Sequence, residues 1–470
     1  MRPLIAILLG GLVLSICLNA EERLVKFIEL DSGAVEEFEK RLGGSLSEVS
    51  RAGNLFLWRG GKSVPSTTPR GVEFIQPNYR ITLPPNPSLE RHSKEVKANS
   101  PLLSSGPRFS DNPDLVRPSF QSSGPDPLLS STWGIHLIGA LSFWQNTEQG
   151  KDVVVAITDT GVDYTHPDLV NAIWWNALEK DDGVDNDGNG FVDDLVGWDF
   201  VSNDNRPYDL SLSLEEILLG QGNPGHGTHC AGVASARLAN AMGAAGVAPR
   251  ALLLPLRFIN ERGMGDSAGG VRAIDYAVQL AQTRQTRVVI SASWGAEGDN
   301  DLALSDAIER ARKADVLFVA AAGNGRLNPA TLQMVGFDND RDAKPVYPAT
   351  FSHENIVAVA ASTPMDELAS FSNYGRRTVD LAAPGVKILS TVPGNRYQDT
   401  IVDLGQVKIT WDGTSMATPF VAGSLAVVWS QDPGQSAERV KAKLLDHVQD
   451  SSSLKGRVLS EGRLELRRLH

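Results

Sequence analysis

Five short apolar runs constrain the fold more than any other feature of this chain. They are VVVAIT (153–158), ALLLPL (251–256), VVISAS (288–293), VLFVAAA (316–322) and IVAVAA (356–361). Each predicts a strand covered on both faces, because a half-exposed strand alternates apolar with polar residues. Between them, SAGGVRAIDYAVQLAQ and DLALSDAIERARKA carry the 3.6-residue periodicity of helices. This alternation predicts an α/β fold with three layers, in which helices cover a mostly parallel sheet with right-handed crossovers.

Polar and turn residues follow the predicted strands directly. VVVAIT leads into DTGVD, VVISA into SWG, and VLFVAAA into GN. Because ligands of such sheets bind beyond the carboxyl ends of the strands, these residues are expected to meet at one functional edge.

The chain preceding this sheet divides into two parts. Residues 24–82 alternate strand-like and helix-like patterns, which predicts a small α+β domain over residues 21–82. Residues 83–131 are rich in Pro, Ser, Asn and Gly and contain few large apolar side chains. Such a composition is typical of a linker that proteases can reach. The α/β domain is therefore expected to span residues 132–470.

The first twenty residues are typical of a secretory signal peptide. A basic start precedes an apolar run, Leu4–Leu18, which is too short to span a bilayer, and Ala20 suits a cleavage site. We therefore expect an extracytoplasmic protein without a transmembrane segment. Ile16 is too large for the position before a lipidated cysteine, which argues against lipoprotein anchoring at Cys17. Removal of the signal leaves Cys230 as the only cysteine, so no internal disulfide is expected.

The overall charge narrows the choice of partners. A formal net charge of -12 argues against nucleic acid and suits a protein that binds cations.

Ser415, in DGTSMATP, has two interpretations. It precedes Pro419 and the small-residue run FVAGSLAVVW, so it could simply cap a buried helix. Alternatively it is a nucleophile, because the amides and dipole of a helix N-terminus favour developing negative charge. A nucleophilic serine needs a base and an orienting carboxylate.

His226, in NPGHGTHCAGVA, is the histidine best placed to act as that base. Gly225 and Gly227 flank it and allow a substrate backbone to come close. The alternatives are a structural histidine and a zinc pair with His229, although no third ligand lies nearby in the sequence.

Asp159 closes the run VVVAIT at the turn Asp-Thr-Gly. An ordinary Asx-turn would explain it. The same triplet is also the signature of aspartic proteases, which pair two carboxylates. The nearest second copy, Asp31-Ser32-Gly33, lies in the separate first domain, which weakens that interpretation.

Together, ITDTGVDYTHPDL, GHGTHCAGVA and DGTSMATPFVAG resemble the three motifs of the subtilisin-like serine proteases, the subtilases, in the order Asp, His, Ser. The resemblance covers roughly residues 130–465. It implies that Ser415 is the nucleophile, His226 the general base and Asp159 its orienting partner, with Asn324 donating to the oxyanion.

The resemblance also implies that two stretches bind an extended peptide substrate by main-chain hydrogen bonds. They are Gly263, Met264 and Gly265, and Ser293, Trp294 and Gly295. The side chain of Trp294 could instead be packed in the core.

The acidic run DDGVDNDGNGFVDD (181–194) predicts a structural calcium ion. Its spacing matches the early ligand positions of an EF-hand loop, at Asp185, Asp187, Asn189, Phe191 and Asp193. Val196 stands where the closing glutamate would be, so the match is partial. Some subtilases carry a similar loop. A solvated acidic turn is the alternative.

The first domain resembles the subtilase propeptide, which implies an intramolecular inhibitor removed by self-processing in the linker. The sequence therefore predicts a secreted serine endopeptidase that acts on peptides or proteins. The competing hypotheses are a catalytically silent binding protein with the same fold and an aspartic protease that uses Asp159.

Overall fold

The computed structural model describes most of the chain, in two compact units. The described residues are 22–30, 32–60, 64–65, 67–87, 105–107, 124–211, 222–298, 300–405 and 408–469. The first unit ends at Asn78, and the second extends from Tyr79 to the C-terminus. The predicted signal peptide and most of the predicted linker lie outside the described residues.

The first unit is a four-stranded antiparallel sheet packed against one helix. Its elements are β1 (Glu22–Phe27), α1 (Ser32–Leu42), β2 (Ser45–Ser50), β3 (Leu55–Arg59) and β4 (Val72–Pro77). The strand order is β2-β3-β1-β4. Phe38 of α1 packs edge-on against Phe27 and Trp58 of the sheet, with ring centroids 5.8 and 5.3 Å apart. This core matches the α+β composition expected from the sequence.

The second unit contains the remaining elements. Its helices are α2 (Trp133–Leu137), α3 (Ala140–Trp144), α4 (His226–Ser235), α5 (Ser267–Arg284), α6 (Leu302–Lys313), α7 (Thr414–Gln431) and α8 (Ala437–Leu445). Its main sheet contains β6 (Val153–Asp159), β7 (Trp198–Asp199), β8 (Leu252–Arg257), β10 (Arg287–Ala292), β12 (Leu317–Ala321), β16 (Ile356–Ser362), β17 (Leu381–Pro384), β22 (Gln449–Asp450) and β23 (Gly462–Arg463). Short pairs are formed by β5 (Arg80–Thr82), β9 (Met264–Asp266), β11 (Ala296–Glu297), β13 (Arg326–Asn328), β14 (Gln333–Val335), β15 (Val346–Tyr347), β18 (Ser390–Val392), β19 (Arg396–Gln398), β20 (Thr400–Asp403) and β21 (Lys408–Thr410).

The main sheet has the order β22-β23-β17-β16-β12-β10-β6-β8-β7. All its pairings are parallel except that of β22 with β23. The five predicted strands are confirmed as β6, β8, β10, β12 and β16. Every residue of β6 and β16 is buried, as expected for strands covered on both faces.

Two groups of helices cover the sheet and complete the α/β fold. Helix α7 packs against α4 and against five strands of the sheet, whereas α5 and α6 pack against each other and against neighbouring strands. Asp266 and Asp301 cap α5 and α6 by accepting the N–H groups of Gly269 and Leu304. Within the described part of the chain, no helix is long and apolar enough to cross a membrane.

The turn after β6 requires a glycine. Gly161 has φ of +103°, and a Cβ atom there would lie 2.7 Å from the carbonyl oxygens of Pro207 and Tyr208. Side chains avoid this backbone conformation, and backbone atoms cannot move away as a flexible side chain can. The turn therefore depends on glycine to direct Asp159 and Thr160.

We expect Gly161→Ala to lower the free energy of unfolding by more than about 2 kcal/mol, because backbone strain and a steric clash add together. Gly456→Ala is the matched control. Its φ is +70° with no atom within 4 Å of the added Cβ, so only the strain of about 1–2 kcal/mol applies. Urea denaturation of both variants measures the difference. Equal losses would show that the contacts with Pro207 and Tyr208 do not matter.

Candidate active site

Asp159 and His226 form a buried hydrogen-bonded pair at the carboxyl edge of the sheet. Asp159 is the last residue of β6, and His226 is the first residue of α4. His226 Nδ1 lies 2.8 Å from Asp159 Oδ1 and 3.0 Å from Oδ2. The Thr160 N–H also donates to Asp159 Oδ1, at 2.7 Å. The carboxylate therefore fixes the orientation of the imidazole ring and the proton on Nδ1.

Ser415 is the second residue of α7, and its hydroxyl donates to the Ser293 carbonyl oxygen at 2.8 Å. Pro419 has no N–H, so the Ser415 carbonyl lacks its usual partner four residues on in the helix. That carbonyl instead accepts the Ser293 hydroxyl at 2.9 Å and the Cys230 thiol at 3.5 Å. Pro419 thus allows two neighbouring elements to be tied to the first turn of α7.

Asn324 lies just beyond β12, and its side-chain amide has a defined orientation. Its Oδ1 accepts both the N–H and the hydroxyl of Thr414, at 2.8 and 2.9 Å. Its Nδ2 donates to the carbonyl oxygen of Pro85 at 3.0 Å. The side chain presents a fixed donor beside Ser415.

Asp209 supports this site, although sequence reasoning did not identify it. Its carboxylate is almost fully buried and accepts four hydrogen bonds, from Thr160 Oγ1 (2.8 Å), Thr228 N (2.8 Å), Thr228 Oγ1 (2.7 Å) and Asn223 Nδ2 (2.5 Å). Asn223 Oδ1 in turn accepts the N–H of His226 at 2.6 Å. Asp209 therefore connects the turn beside Asp159 with the start of α4. No motif contains it, so only the fold reveals this role.

The two predicted substrate-binding stretches lie on either side of one extended segment, Tyr79–Pro87. Strand β5 pairs with β9, and the Leu83 N–H donates to Gly263 O at 3.0 Å. Thr82 forms a bridge with Gly295 on the other side. The indole of Trp294 is in the core, where it donates to Thr158 Oγ1 and packs against Phe258. Only the backbone of that stretch is therefore available for pairing.

The alternative interpretations of His229 and Asp159 receive no support from their surroundings. His229 is stacked on Trp411, with ring centroids 4.1 Å apart, and its Nε2 is bonded to Ile388 O at 2.9 Å. Burial lowers the pKa of His229 to about 3, so it is a neutral core histidine. Among the residues that the structure describes, Asp159 is bonded to an imidazole and not to a second carboxylate. Asp31, the partner considered for an aspartic protease, lies outside the described residues.

The acidic loop brings together a different set of oxygen atoms from the predicted one. Carboxylate oxygens of Asp187, Glu179 and Asp194 lie within 4.8 Å of one another. Glu179 and Asp194 were not predicted. Asn189 contacts this group through Asp194, at 2.8 Å. Among the other predicted ligands, the carboxylates of Asp185 and Asp193 accept backbone N–H groups of their own loop, and the Phe191 ring packs against Trp198 and Tyr276.

Buried carboxylates occur at two places that offer oxygen ligands. Burial raises the pKa of Asp194 to about 6, while hydrogen bonds from Tyr276 and neighbouring amides oppose the shift. Burial likewise raises the pKa of Asp168 to about 7. Asp168 accepts Asn240 Nδ2 at 2.7 Å, and Asp126 accepts the backbone N–H of Asn240 at 3.0 Å. A bound cation at either place would favour the ionised carboxylate.

We expect Asp209→Asn to change how stability depends on pH. Burial raises the pKa of Asp209 to about 6 from 3.8, so between these values the folded state holds a proton that the unfolded state releases. This contribution is complete below pH 3.8 and is lost as the pH rises through 6. The free energy of unfolding of the wild type should therefore fall, relative to that of the variant, by up to about 3 kcal/mol between pH 4 and 7.5.

Urea denaturation at the two pH values measures this effect, and Asp181→Asn, at an exposed position of the acidic loop, is the control. The control should keep the wild-type pH dependence. An Asp209→Asn variant with that same dependence would show that the buried carboxylate does not titrate as described.

Comparison with known proteins identifies the family of this chain. The family model described as "Subtilase family" matches residues 150–461. Thermitase of Thermoactinomyces vulgaris is 34% identical over 72% of this chain and 96% of its own length. A thermophilic serine proteinase of Bacillus sp. (strain AK1) is also 34% identical, over 68% of this chain and 62% of its own length. The major intracellular serine protease of Bacillus subtilis (strain 168) is 35% identical over 64% of this chain and 75% of its own length. The chain therefore belongs to the subtilase family and is a subtilisin-like serine endopeptidase.

Proposed function

We propose that this endopeptidase cleaves peptide bonds through an acyl-enzyme on Ser415, with His226 and Asp159 completing a catalytic triad. The observation that carries the proposal is the buried contact of 2.8 Å between His226 Nδ1 and Asp159. A proton fixed on Nδ1 leaves Nε2 as the basic nitrogen, which is the form that a general base requires. Ser415 would attack the substrate carbonyl while Nε2 takes its proton. His226 would then return that proton to the leaving amine before water hydrolyses the ester.

The environment of His226 favours the imidazolium that forms during attack. Burial by itself lowers the pKa of His226, but the Asp159 carboxylate raises it, and the net pKa is well above the ordinary 6.5. Stabilisation of the transient positive charge on the ring lowers the barrier to forming the tetrahedral intermediate. Asp159 would therefore act as an electrostatic partner as well as an orienting one.

Asn324 would donate to the oxyanion of that intermediate. Support comes from its Nδ2, which already donates to a peptide carbonyl, that of Pro85, at 3.0 Å. Because Thr414 holds the amide oxygen, the donor needs no reorientation during the reaction. Main-chain pairing along Gly263–Gly265 and Ser293–Gly295 would bind substrates of many sequences.

We further propose that the protein is secreted as a proprotein, that the first unit inhibits the protease and that self-processing cuts the linker. The signal-like first twenty residues and the protease-accessible composition of residues 83–131 support these steps. A relative is named an intracellular protease, so recovery of this protein from the culture medium tests its secretion. The competing hypothesis is a catalytically silent binding protein, for which a reactive Ser415 would be unexpected.

Ser415→Ala tests the proposed chemistry. We expect wild type, purified from the culture medium, to lose the first unit by a cut between residues 83 and 131 and to react with a fluorophosphonate probe. The variant should keep its full proprotein mass and remain unlabelled, because it lacks the nucleophile. Intact-mass spectrometry and labelling measure both outcomes.

Ser424→Ala is the matched control, since Ser424 is a buried serine of the same helix whose hydroxyl donates to Phe420 O. It should behave as wild type. Cutting of the Ser415→Ala variant at the same site would assign processing to another protease, and a wild type that is not labelled would support the silent binder.

We propose, in addition, that the acidic loop binds a structural calcium ion. The group formed by Asp187, Glu179 and Asp194 offers only oxygen ligands, which Ca²⁺ prefers, and the side chain of Asn189 lies beside it. Arg284 Nη2 lies 2.7 Å from Asp187 Oδ2, and the guanidinium balances part of the negative charge of the group. A bound ion would hold the loop against α5 and would take no part in bond cleavage.

We expect the Glu179→Gln/Asp194→Asn variant to bind one calcium ion fewer per chain than wild type in isothermal titration calorimetry. The loss of one bound ion in this variant would assign that ion to the group of Asp187, Glu179 and Asp194. An ion bound elsewhere, for example by Asp126 and Asp168, would still be counted. The melting temperature of the variant should also rise less when calcium is added, because ligand binding stabilises only the folded state. Asp181→Asn is the control and should keep the wild-type count. An unchanged count in the double variant would rule out this position.

A further inference from the structure

The segment Tyr79–Pro87 is bound in the cleft as an extended peptide substrate would be. On one side it continues the pairing of β5 with β9, through the Leu83 N–H and Gly263 O at 3.0 Å. On the other side Thr82 and Gly295 exchange two backbone hydrogen bonds of 3.5 Å each. The side chain of Ile81 is buried. The main-chain pairing of this segment therefore indicates how a substrate backbone would be bound.

The pairing with the second edge stops at Pro84. In an antiparallel ladder, hydrogen-bonded pairs recur at every second residue, so the pair after Thr82 and Gly295 would be Pro84 and Ser293. At that step the residue opposite Ser293 would donate its N–H to the Ser293 carbonyl. Proline has no N–H. The Ser293 carbonyl therefore receives no ladder hydrogen bond from this segment.

The Ser293 carbonyl oxygen instead accepts a hydrogen bond from Ser415. Its hydroxyl donates to Ser293 O at 2.8 Å, and the Ser293 hydroxyl donates back to Ser415 O at 2.9 Å. His226 Nε2 is buried and has no hydrogen-bond partner among the described residues. A serine hydroxyl has one proton to donate, so it cannot serve the Ser293 carbonyl and His226 at once. The nucleophile is thus held in a state that is not activated.

We propose that the Ser293 carbonyl holds the Ser415 hydroxyl until a substrate N–H opposite Ser293 replaces it, and that Pro84 therefore keeps the chain's own segment bound but uncut. The proposal rests on the roles given to Ser415 and His226 under the proposed function. A substrate N–H bonded to Ser293 O weakens the competing bond from Ser415, because a carbonyl that already accepts a ladder hydrogen bond is a poorer second acceptor. The hydroxyl is then free to rotate to His226 Nε2.

Two consequences follow for what the enzyme cuts. Peptides with proline opposite Ser293 would be bound by the remaining ladder hydrogen bonds but turned over slowly. The bond between Pro84 and Pro85 is also a tertiary amide. Removal of the first unit is accordingly expected beyond Pro87, in the rest of the linker, and not at the residues that occupy the cleft.

The test is the full chain with Pro84→Ala/Pro85→Ala, which restores both N–H groups. N-terminal sequencing is expected to find a cut between residues 83 and 86 in this variant, at least about tenfold faster than in wild type. Pro87→Ala is the matched control, because it removes a neighbouring proline that does not face Ser293. It should show no cut there. Adding Ser415→Ala to the double variant should abolish the cut.

Synthetic peptides provide a second measurement that does not depend on the variant folding. The processed wild type is given Tyr-Arg-Ile-Thr-Leu-Ala-Ala-Asn and the same peptide with N-methylalanine at the first alanine, which stands at the Pro84 position. The N-methylated peptide is expected to lose at least about a hundredfold in kcat, with KM changed by less than about tenfold. N-methylation of the second alanine is the control for steric bulk and should have a smaller effect on kcat.

The outcomes separate this proposal from the proposed function. If fluorophosphonate labels Ser415 but the double variant stays uncut between residues 83 and 86, or if the N-methylated peptide is cut as fast as its parent, the Ser293 proposal is overturned while the catalytic assignment stands. The Ser293 proposal is also overturned if the wild type is cut between residues 83 and 86 as fast as the double variant. Absence of labelling in every protein overturns both.

Discussion

Two buried carboxylates, Asp159 and Asp209, impose the strictest demand on this structure. A buried charge must be satisfied by hydrogen-bond donors or it destabilises the fold. Asp159 is satisfied by the Thr160 N–H and His226 Nδ1, and Asp209 by donors from Thr160, Thr228 and Asn223. The donors of both groups come from the turn after β6 and from the start of α4 with the residues just before it. Satisfying the two charges therefore fixes the distance and angle between those elements. The orientation of the His226 imidazole is a consequence of that requirement.

The sequence predicted the features that depend on local pattern. The five apolar strands are found where continuous β-rich runs stand, because such runs can be satisfied only in a sheet covered on both faces. Asp159, His226, Ser415 and Asn324 were predicted from motifs, and each lies near the end of a strand or the start of a helix. Asp209 was not found, because it lies in the unremarkable stretch YDLS and acts through neighbours from distant parts of the chain. Glu179 and Asp194 were missed for the same reason, since they join Asp187 only once the loop is folded back on itself.

Two prolines, Pro419 and Pro84, affect the candidate active site because neither has a backbone N–H to donate. Within α7, Pro419 leaves the Ser415 carbonyl available, and Ser293 and Cys230 use it to tie their elements to the helix. This contact brings the Ser293 main chain beside the Ser415 hydroxyl. Sequence reasoning treated Pro419 only as a residue tolerated near a helix start. Its effect becomes visible when the partner four residues earlier is identified as the candidate nucleophile.

Pro84, in the segment Tyr79–Pro87, also lacks an N–H that a neighbouring carbonyl could accept. Composition alone placed this proline in a linker that proteases can reach. The effect of this proline depends on the register of the ladder. One residue earlier or later, the missing N–H would point away from Ser293, and the Ser293 carbonyl would not be affected. A protease that holds a piece of its own chain across its cleft must either cut that piece or prevent its own activation there. Steric exclusion would weaken the binding of that piece. Withholding a single N–H preserves the hydrogen bonds that hold the segment at Thr82 and Leu83 while leaving Ser415 on the Ser293 carbonyl. Binding and cleavage can thus be separated at one residue, because they depend on different hydrogen bonds of the same ladder.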